Sequence, residues 1–168
     1  DHISDVNIVL TEHARRYLIM EGLKPDLIIK TGSFMREVIN FNLKKIKKSK
    51  ILSKLKIKRN KYLLFSFHRE ENVDDTFKLN EILETIDFLN KKLKMKCIIS
   101  THPRTKLRLK NVKKINNDQI LFLKPLGFFD YNFLQMNSYC TVSDSGTITE
   151  ESDILNFPAI TIRNSHER

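Results

Sequence analysis

Short apolar runs alternate with stretches of helical periodicity along the whole chain, and few folds are open to a sequence built that way. Residues 6–10 read as a strand, 11–21 as a helix capped by Thr11 and stopped by Gly22, and 26–30 as another strand. Thr31-Gly32-Ser33 then leads into a helix whose Met35, Val38, Ile39 and Ile46 fit a 3.6-residue repeat. From Lys61 a second series begins, with strands over 62–67, 95–100, 119–123, 139–143 and 159–163. Between them lie a long helix over 73–93, with Phe77, Ile82, Ile86, Leu89 and Leu93 on one face, and a helix over 147–156. Strands that alternate with helices pair in parallel through right-handed crossovers, so the expectation is an α/β fold with a helix-covered parallel sheet of about five strands. Residues 1–50 read as the end of one α/β domain plus an interdomain segment, and 51–168 as a second α/β domain.

Charge narrows the partners. The net charge of +10 over 168 residues comes from two segments, 44–61 and 91–114, each with ten Lys or Arg and no acid. The rest of the chain sets ten bases against all 20 acids. Those bases are mostly Lys interleaved with Ile and Leu rather than with stacking aromatics, the composition of solvated faces over apolar stems, so nucleic acid is not an expected partner. Cys97 and Cys140 each sit in an apolar run and make neither a disulfide framework nor a metal cluster. No uncharged stretch approaches the length of a membrane span. The chain is expected to be cytoplasmic, without a membrane partner. It starts at Asp1 directly before a strand and stops at His166-Glu167-Arg168 with no closing element, the ends expected of a piece of something longer.

In a parallel sheet, ligands bind at the carboxyl ends of the strands. Here those ends carry Ser66-Phe67-His68-Arg69-Glu70-Glu71-Asn72, Ser100-Thr101-His102-Pro103-Arg104 and Ser143-Asp144-Ser145-Gly146-Thr147. Two imidazoles and two guanidiniums at neighbouring ends donate to phosphate oxygens, which suggests a diphosphate. Asp144-Ser145-Gly146-Thr147 runs into a helix, whose first N–H groups and positive dipole end also suit phosphate, and Gly146 lets backbone come close. Alternatively, Ser145 or Thr147 only caps that helix, with Glu150 completing a capping box. Glu151 lies one turn inside, where a carboxylate can accept from vicinal hydroxyls such as those of a ribose. Among Leu126-Gly127-Phe128-Phe129-Asp130-Tyr131, Phe128 or Phe129 is expected to plug the core and Tyr131, with its polar tip, to meet a nucleobase. His68 beside Glu70 and Glu71 lacks the spacing of a zinc site, so no metal is expected. With no G-x-G-x-x-G and no P-loop, no dinucleotide cofactor is expected either, and the ligand class is a nucleoside diphosphate conjugate.

Taken in order, His68-Arg69-Glu70-Glu71-Asn72, Thr101-His102-Pro103-Arg104, Asp144-Ser145-Gly146-Thr147-Ile148-Thr149-Glu150-Glu151 and Arg163 with His166-Glu167-Arg168 resemble the non-hydrolysing UDP-N-acetylglucosamine 2-epimerase family. The resemblance implies a Rossmann-like domain of a GT-B-type two-domain fold, with most of the N-terminal domain missing from this chain. It implies a UDP-sugar in the cleft and inversion at C2 of the sugar by elimination and re-addition of UDP. His68 would stand at the diphosphate and the reacting sugar, as the catalytic residue of this part. Tyr131 would take the uracil side, Ser145 and Gly146 the phosphate, and Glu151 the ribose hydroxyls. Arg69, His102 and Arg163 would line the cleft, and Arg104 is the base of the second Lys-rich segment best placed for a phosphate. The family's catalytic carboxylates belong to the N-terminal domain, so this chain alone is expected to be inactive; the intact enzyme is expected to be a homodimer. The form of the first motif is closest to the branch that serves surface polysaccharides. Two other readings share the same residues, a truncated non-catalytic nucleotide-binding remnant and half of a GT-B glycosyltransferase.

Overall fold

The computed structural model describes residues 1–112 and 115–163. Two compact units divide at Phe41, the second beginning at Asn42. In the first, β1 (Asn7–Val9) pairs in parallel with β2 (Ile28–Lys30), joined by α1 (Glu12–Met20). The Thr11 side chain accepts from the N–H of Ala14 at 3.1 Å, the capping role expected of it. Val9, Leu18 and Ile28 make the small core of this unit. Next come α2 (Met35–Lys47) and α3 (Ile51–Lys54), so the first Lys-rich segment is helical over 44–47 and 51–54.

The second unit is built on five parallel strands in the order β5-β4-β3-β6-β7. These are β3 (Tyr62–Ser66), β4 (Lys96–Ser100), β5 (Ile120–Leu123), β6 (Cys140–Ser143) and β7 (Ala159–Thr161), connected by α4 (Glu70–Val73), α5 (Thr76–Leu93), α6 (Pro103–Arg108), α7 (Phe128–Asn137) and α8 (Ile148–Leu155). Strand β3 comes first of the five in the chain and lies centrally: Tyr62, Leu63, Leu64 and Phe65 are all buried, the continuous apolar run that a parallel strand covered on both faces needs. Its register with β4 and β6 places Ser66 opposite both Ser100 and Ser143, which brings three strand ends level. The chain moves outward from β3 through β4 to β5, then returns to the other side of β3 for β6 and β7. That reversal opens a crevice beyond the ends of β3 and β6.

Three local expectations differ from the structure. The long helix is split: Asp75 accepts from the N–H of Phe77 at 2.8 Å and starts α5 at Thr76, leaving α4 as a separate turn. The buried stripe of α5 is Leu79, Leu83, Ile86 and Asn90, with Ile82, Leu89 and Leu93 packed partly against the core. Phe77 stands two positions before Leu79, about 200° around the helix, and is 71% exposed. Phe128 and Phe129 do not plug the core; they are 41% and 40% exposed and stack edge to face at 5.7 Å. Gly127 starts α7 immediately before them, so the inward turn falls to Phe133 and the fully buried Leu134.

Candidate active site

The crevice is organised by a residue to which the sequence assigned no role. Asp144 follows β6 directly, is fully buried, and points its carboxylate at the turn after β3. Oδ2 accepts from the backbone N–H groups of His68 and Arg69, both at 2.9 Å, and from the side-chain amide of Asn72 at 3.1 Å. Oδ1 lies 3.1 Å from His68 Nδ1. Burial alone would push this carboxyl up, but the hydrogen bonds from His68, Arg69 and Asn72 outweigh it and hold the pKa below the ordinary 3.8. The same bond to Asp144 raises His68 above its ordinary 6.5, against partial burial and the nearby Arg69. With Nδ1 turned to Asp144, the opposite edge of the imidazole is Nε2.

Arginines gather beside it. The Arg69 side chain donates from Nε to the Asp144 carbonyl at 3.0 Å. A Cβ placed on Gly146 would lie 3.3 Å from Nη1 of Arg163 and 4.0 Å from Nη2 of Arg69, so both guanidiniums close on the one residue there without a side chain. Gly146 stands two residues before α8, the N-cap of which, Thr147, makes no side-chain capping bond. Ser145, the other expected cap, accepts at Oγ from the N–H of Thr147 at 3.4 Å. Thr147 Oγ1 donates instead to Glu151 Oε1 at 2.7 Å and lies 3.0 Å from Ser145 Oγ. Two guanidiniums therefore meet at Gly146 beside a helix start, with the His68 imidazole on the adjoining Asp144, an anion-attracting arrangement.

The other expected residues have protein partners of their own. His102 caps α6 by accepting from the N–H of Arg104 at 3.3 Å, and its ring lies 5.5 Å from that of His68. Arg104 is engaged by carboxylates: Nη1 donates to Glu70 at 2.8 Å and Nη2 to Asp74 at 2.7 Å, while Arg108 reaches Asp74 at 3.1 Å. Asp74 is held near pKa 2 by hydrogen bonds from Arg104 and Arg108. Tyr131 stands with its hydroxyl near Ser66 and Ser143 at the strand ends, and burial pushes its pKa up to about 12. Glu151 accepts at Oε2 from the amide of Gln135 at 2.7 Å. His166, Glu167 and Arg168 lie outside the described residues.

Asp144 and Gln135 are the residues of this cluster that sequence reasoning missed. A signal existed for Asp144: an acid between a strand and a Ser-Gly turn, one strand over from His-Arg, is a natural partner for both. Gln135 gave none, because a lone Gln in an apolar helix has no motif.

Proteins of known type carry the same framework. The family model described as UDP-N-acetylglucosamine 2-epimerase matches residues 1–168. A structure of UDP-N-acetylglucosamine 2-epimerase from Rickettsia bellii is 50% identical and superposes with a TM-score of 0.87, over 99% of this chain and 44% of that one. The Methanocaldococcus jannaschii UDP-GlcNAc 2-epimerase, solved in complex with UDP-GlcNAc and UDP, is 34% identical with a TM-score of 0.90, over 100% of this chain and 48% of that one. The UDP-N-acetylglucosamine 2-epimerase of Methanococcus maripaludis is 31% identical across the whole chain, which covers 48% of that relative. The chain spans about half the length of the curated relatives it matches. Fold, strand-end motifs and the match over every residue agree, and the chain belongs to the UDP-N-acetylglucosamine 2-epimerase family, corresponding to the C-terminal half of its members.

Proposed function

We propose that this chain is the nucleotide-holding part of a non-hydrolysing UDP-N-acetylglucosamine 2-epimerase, which inverts C2 of a UDP-HexNAc in the cytoplasm as a homodimer and supplies surface-polysaccharide precursors. The observation that carries the reading is the meeting of Arg69 and Arg163 around Gly146 at the reversal point of the sheet, with His68 held against the neighbouring Asp144. A diphosphate carries concentrated charge on oxygens, and these groups neutralise it with directed donors. The complex of the M. jannaschii relative with UDP-GlcNAc and UDP supports the same ligand here.

In the proposed reaction, a base removes the C2 proton while the C1–O bond breaks and UDP leaves with the bonding pair, giving a C1=C2 double bond. Re-addition of UDP at C1 and of a proton at the opposite face of C2 completes the inversion. His68 holds a proton at Nε2 toward the leaving phosphate, because Asp144 fixes Nδ1 and favours the charged ring. Arg69 and Arg163 hold the diphosphate, with Ser145 and Gly146 at the helix start. Glu151 takes the ribose hydroxyls, Tyr131 offers its ring to uracil, and His102 lines the cleft. Arg104, now held by Glu70 and Asp74, would trade one of them for a phosphate oxygen. The C2 proton is assigned to carboxylates of the N-terminal half, as the family resemblance implies, so this chain by itself binds nucleotide without turning over substrate.

Calorimetric titration of UDP into the purified chain tests the site. Saturable binding in the micromolar to millimolar range is expected, about −8 to −4 kcal/mol. A folded chain that gives no binding heat at millimolar UDP would overturn the assignment.

A further inference from the structure

Gln135 is fully buried on α7, and it serves neither sheet nor helix. Its side-chain N–H reaches Glu151 Oε2 at 2.7 Å. A carboxylate only accepts, so the amide has to present its NH2 there, and its orientation is fixed by chemistry. Its own oxygen is then buried with no hydrogen-bond donor among the described residues. Burying an amide half-satisfied lowers stability, and such a group in a core calls for a reason beyond packing.

Glu151 supplies one. Its two oxygens are held by two different elements, Oε2 by Gln135 from α7 and Oε1 by Thr147 from the start of α8. Each oxygen accepts one protein hydrogen bond, which fixes the plane of the carboxylate and leaves lone pairs on both oxygens. A carboxylate so fixed can take two adjacent hydroxyls together, which a freely rotating one does poorly.

We propose that Gln135 is the positioning residue that makes this site select a ribonucleotide over its 2′-deoxy counterpart, by locking Glu151 in the plane that accepts the 2′ and 3′ hydroxyls together. The inference rests on the UDP reading above and extends it to discrimination at the sugar. Gln135 does not touch the nucleotide; it acts through Glu151.

The test compares UDP with 2′-deoxy-UDP by calorimetry on the chain and on Gln135→Met, which keeps the length of the side chain and removes its polar atoms. The unmodified chain is expected to prefer UDP by about tenfold or more, the worth of one hydrogen bond to a charged group, and Gln135→Met to reduce that preference to about threefold or less. The melting temperature of Gln135→Met is expected to stay level or rise, since a half-satisfied amide is gone. A packing role alone would lower the melting temperature and leave the UDP to deoxy-UDP ratio untouched, which would overturn the proposal. Should Gln135→Met fail to fold, Thr147→Val removes the other hold on Glu151 and is expected to lower the same ratio; an unchanged ratio there is equally fatal. If the unmodified chain binds neither nucleotide, the UDP assignment falls and this one with it. If it binds both equally, only the proposal about Gln135 falls.

Discussion

Replacing Asp144 with asparagine changes one atom and dismantles the geometry at the reversal point. The carboxylate engages four groups: the N–H groups of His68 and Arg69, the amide of Asn72 and Nδ1 of His68. An asparagine oxygen can keep the three donors that Oδ2 holds, the N–H groups of His68 and Arg69 and the Asn72 amide. The NH2 then points at His68 Nδ1, which has to accept, so the ring turns neutral at that nitrogen. The three retained bonds lose their charge assistance, about 1 kcal/mol each, and loss of the contact between charged groups at His68 adds about 1 kcal/mol, for a total of about 4 kcal/mol. That is a large share of a typical domain's stability and corresponds to a drop of about 2 M in the urea midpoint. Two measurements check it together: urea unfolding followed by circular dichroism, and an NMR pH titration of the His68 ring. The titration is expected to show His68 falling back toward or below its ordinary 6.5, with UDP affinity at neutral pH weakened about tenfold as the imidazolium is lost. A variant that unfolds within about 0.5 kcal/mol of the parent, or keeps His68 raised, would refute Asp144 as the organiser.

The same pair dictates a pH profile. His68 is raised above 6.5, so its contribution to stability is complete below that value and drains away as pH rises through the raised pKa; Asp144 is lowered below 3.8, so its contribution is complete above 3.8 and is lost as pH falls through the lowered pKa. Unfolding midpoints measured across pH are expected to be highest between these limits, and Asp144→Asn is expected to flatten the alkaline side. Gly146→Ala is expected to leave stability within about 0.5 kcal/mol, because its Cβ would meet side-chain ends alone, Arg163 Nη1 at 3.3 Å and Arg69 Nη2 at 4.0 Å, yet to weaken UDP binding about tenfold by filling the anion's place. A thermal melt and a UDP titration separate the two effects. Asp74→Asn releases Arg104 from one of its two carboxylates and is expected to tighten UDP binding at low salt, with little change in melting temperature; unchanged affinity would remove Arg104 from the phosphate site.

The alternation of apolar runs and helical periods was enough to determine a parallel α/β sheet, because strands buried on both faces must be apolar throughout, as 62–65 are. The strand-end motifs were equally legible, since ligand chemistry needs particular residue types and the turns that carry them are short. Amphipathic phase was harder to read. Phe77, Phe128 and Phe129 are apolar and sit in the right segments, but Asp75 and Gly127 set where α5 and α7 begin, and a shift of two positions turns a helical residue nearly to the opposite face. The sequence by itself therefore determined the architecture and the polar residues gathered at its strand ends. Only the tertiary structure decided which of them act on one another. Asp144 lies more than seventy residues from His68, and Gln135 is 16 from Glu151; parallel pairing of β3 with β6 and the packing of α7 beside α8 join them. Hydrogen bonds depend on distance in space, and sequence separation carries no record of it until the sheet is formed.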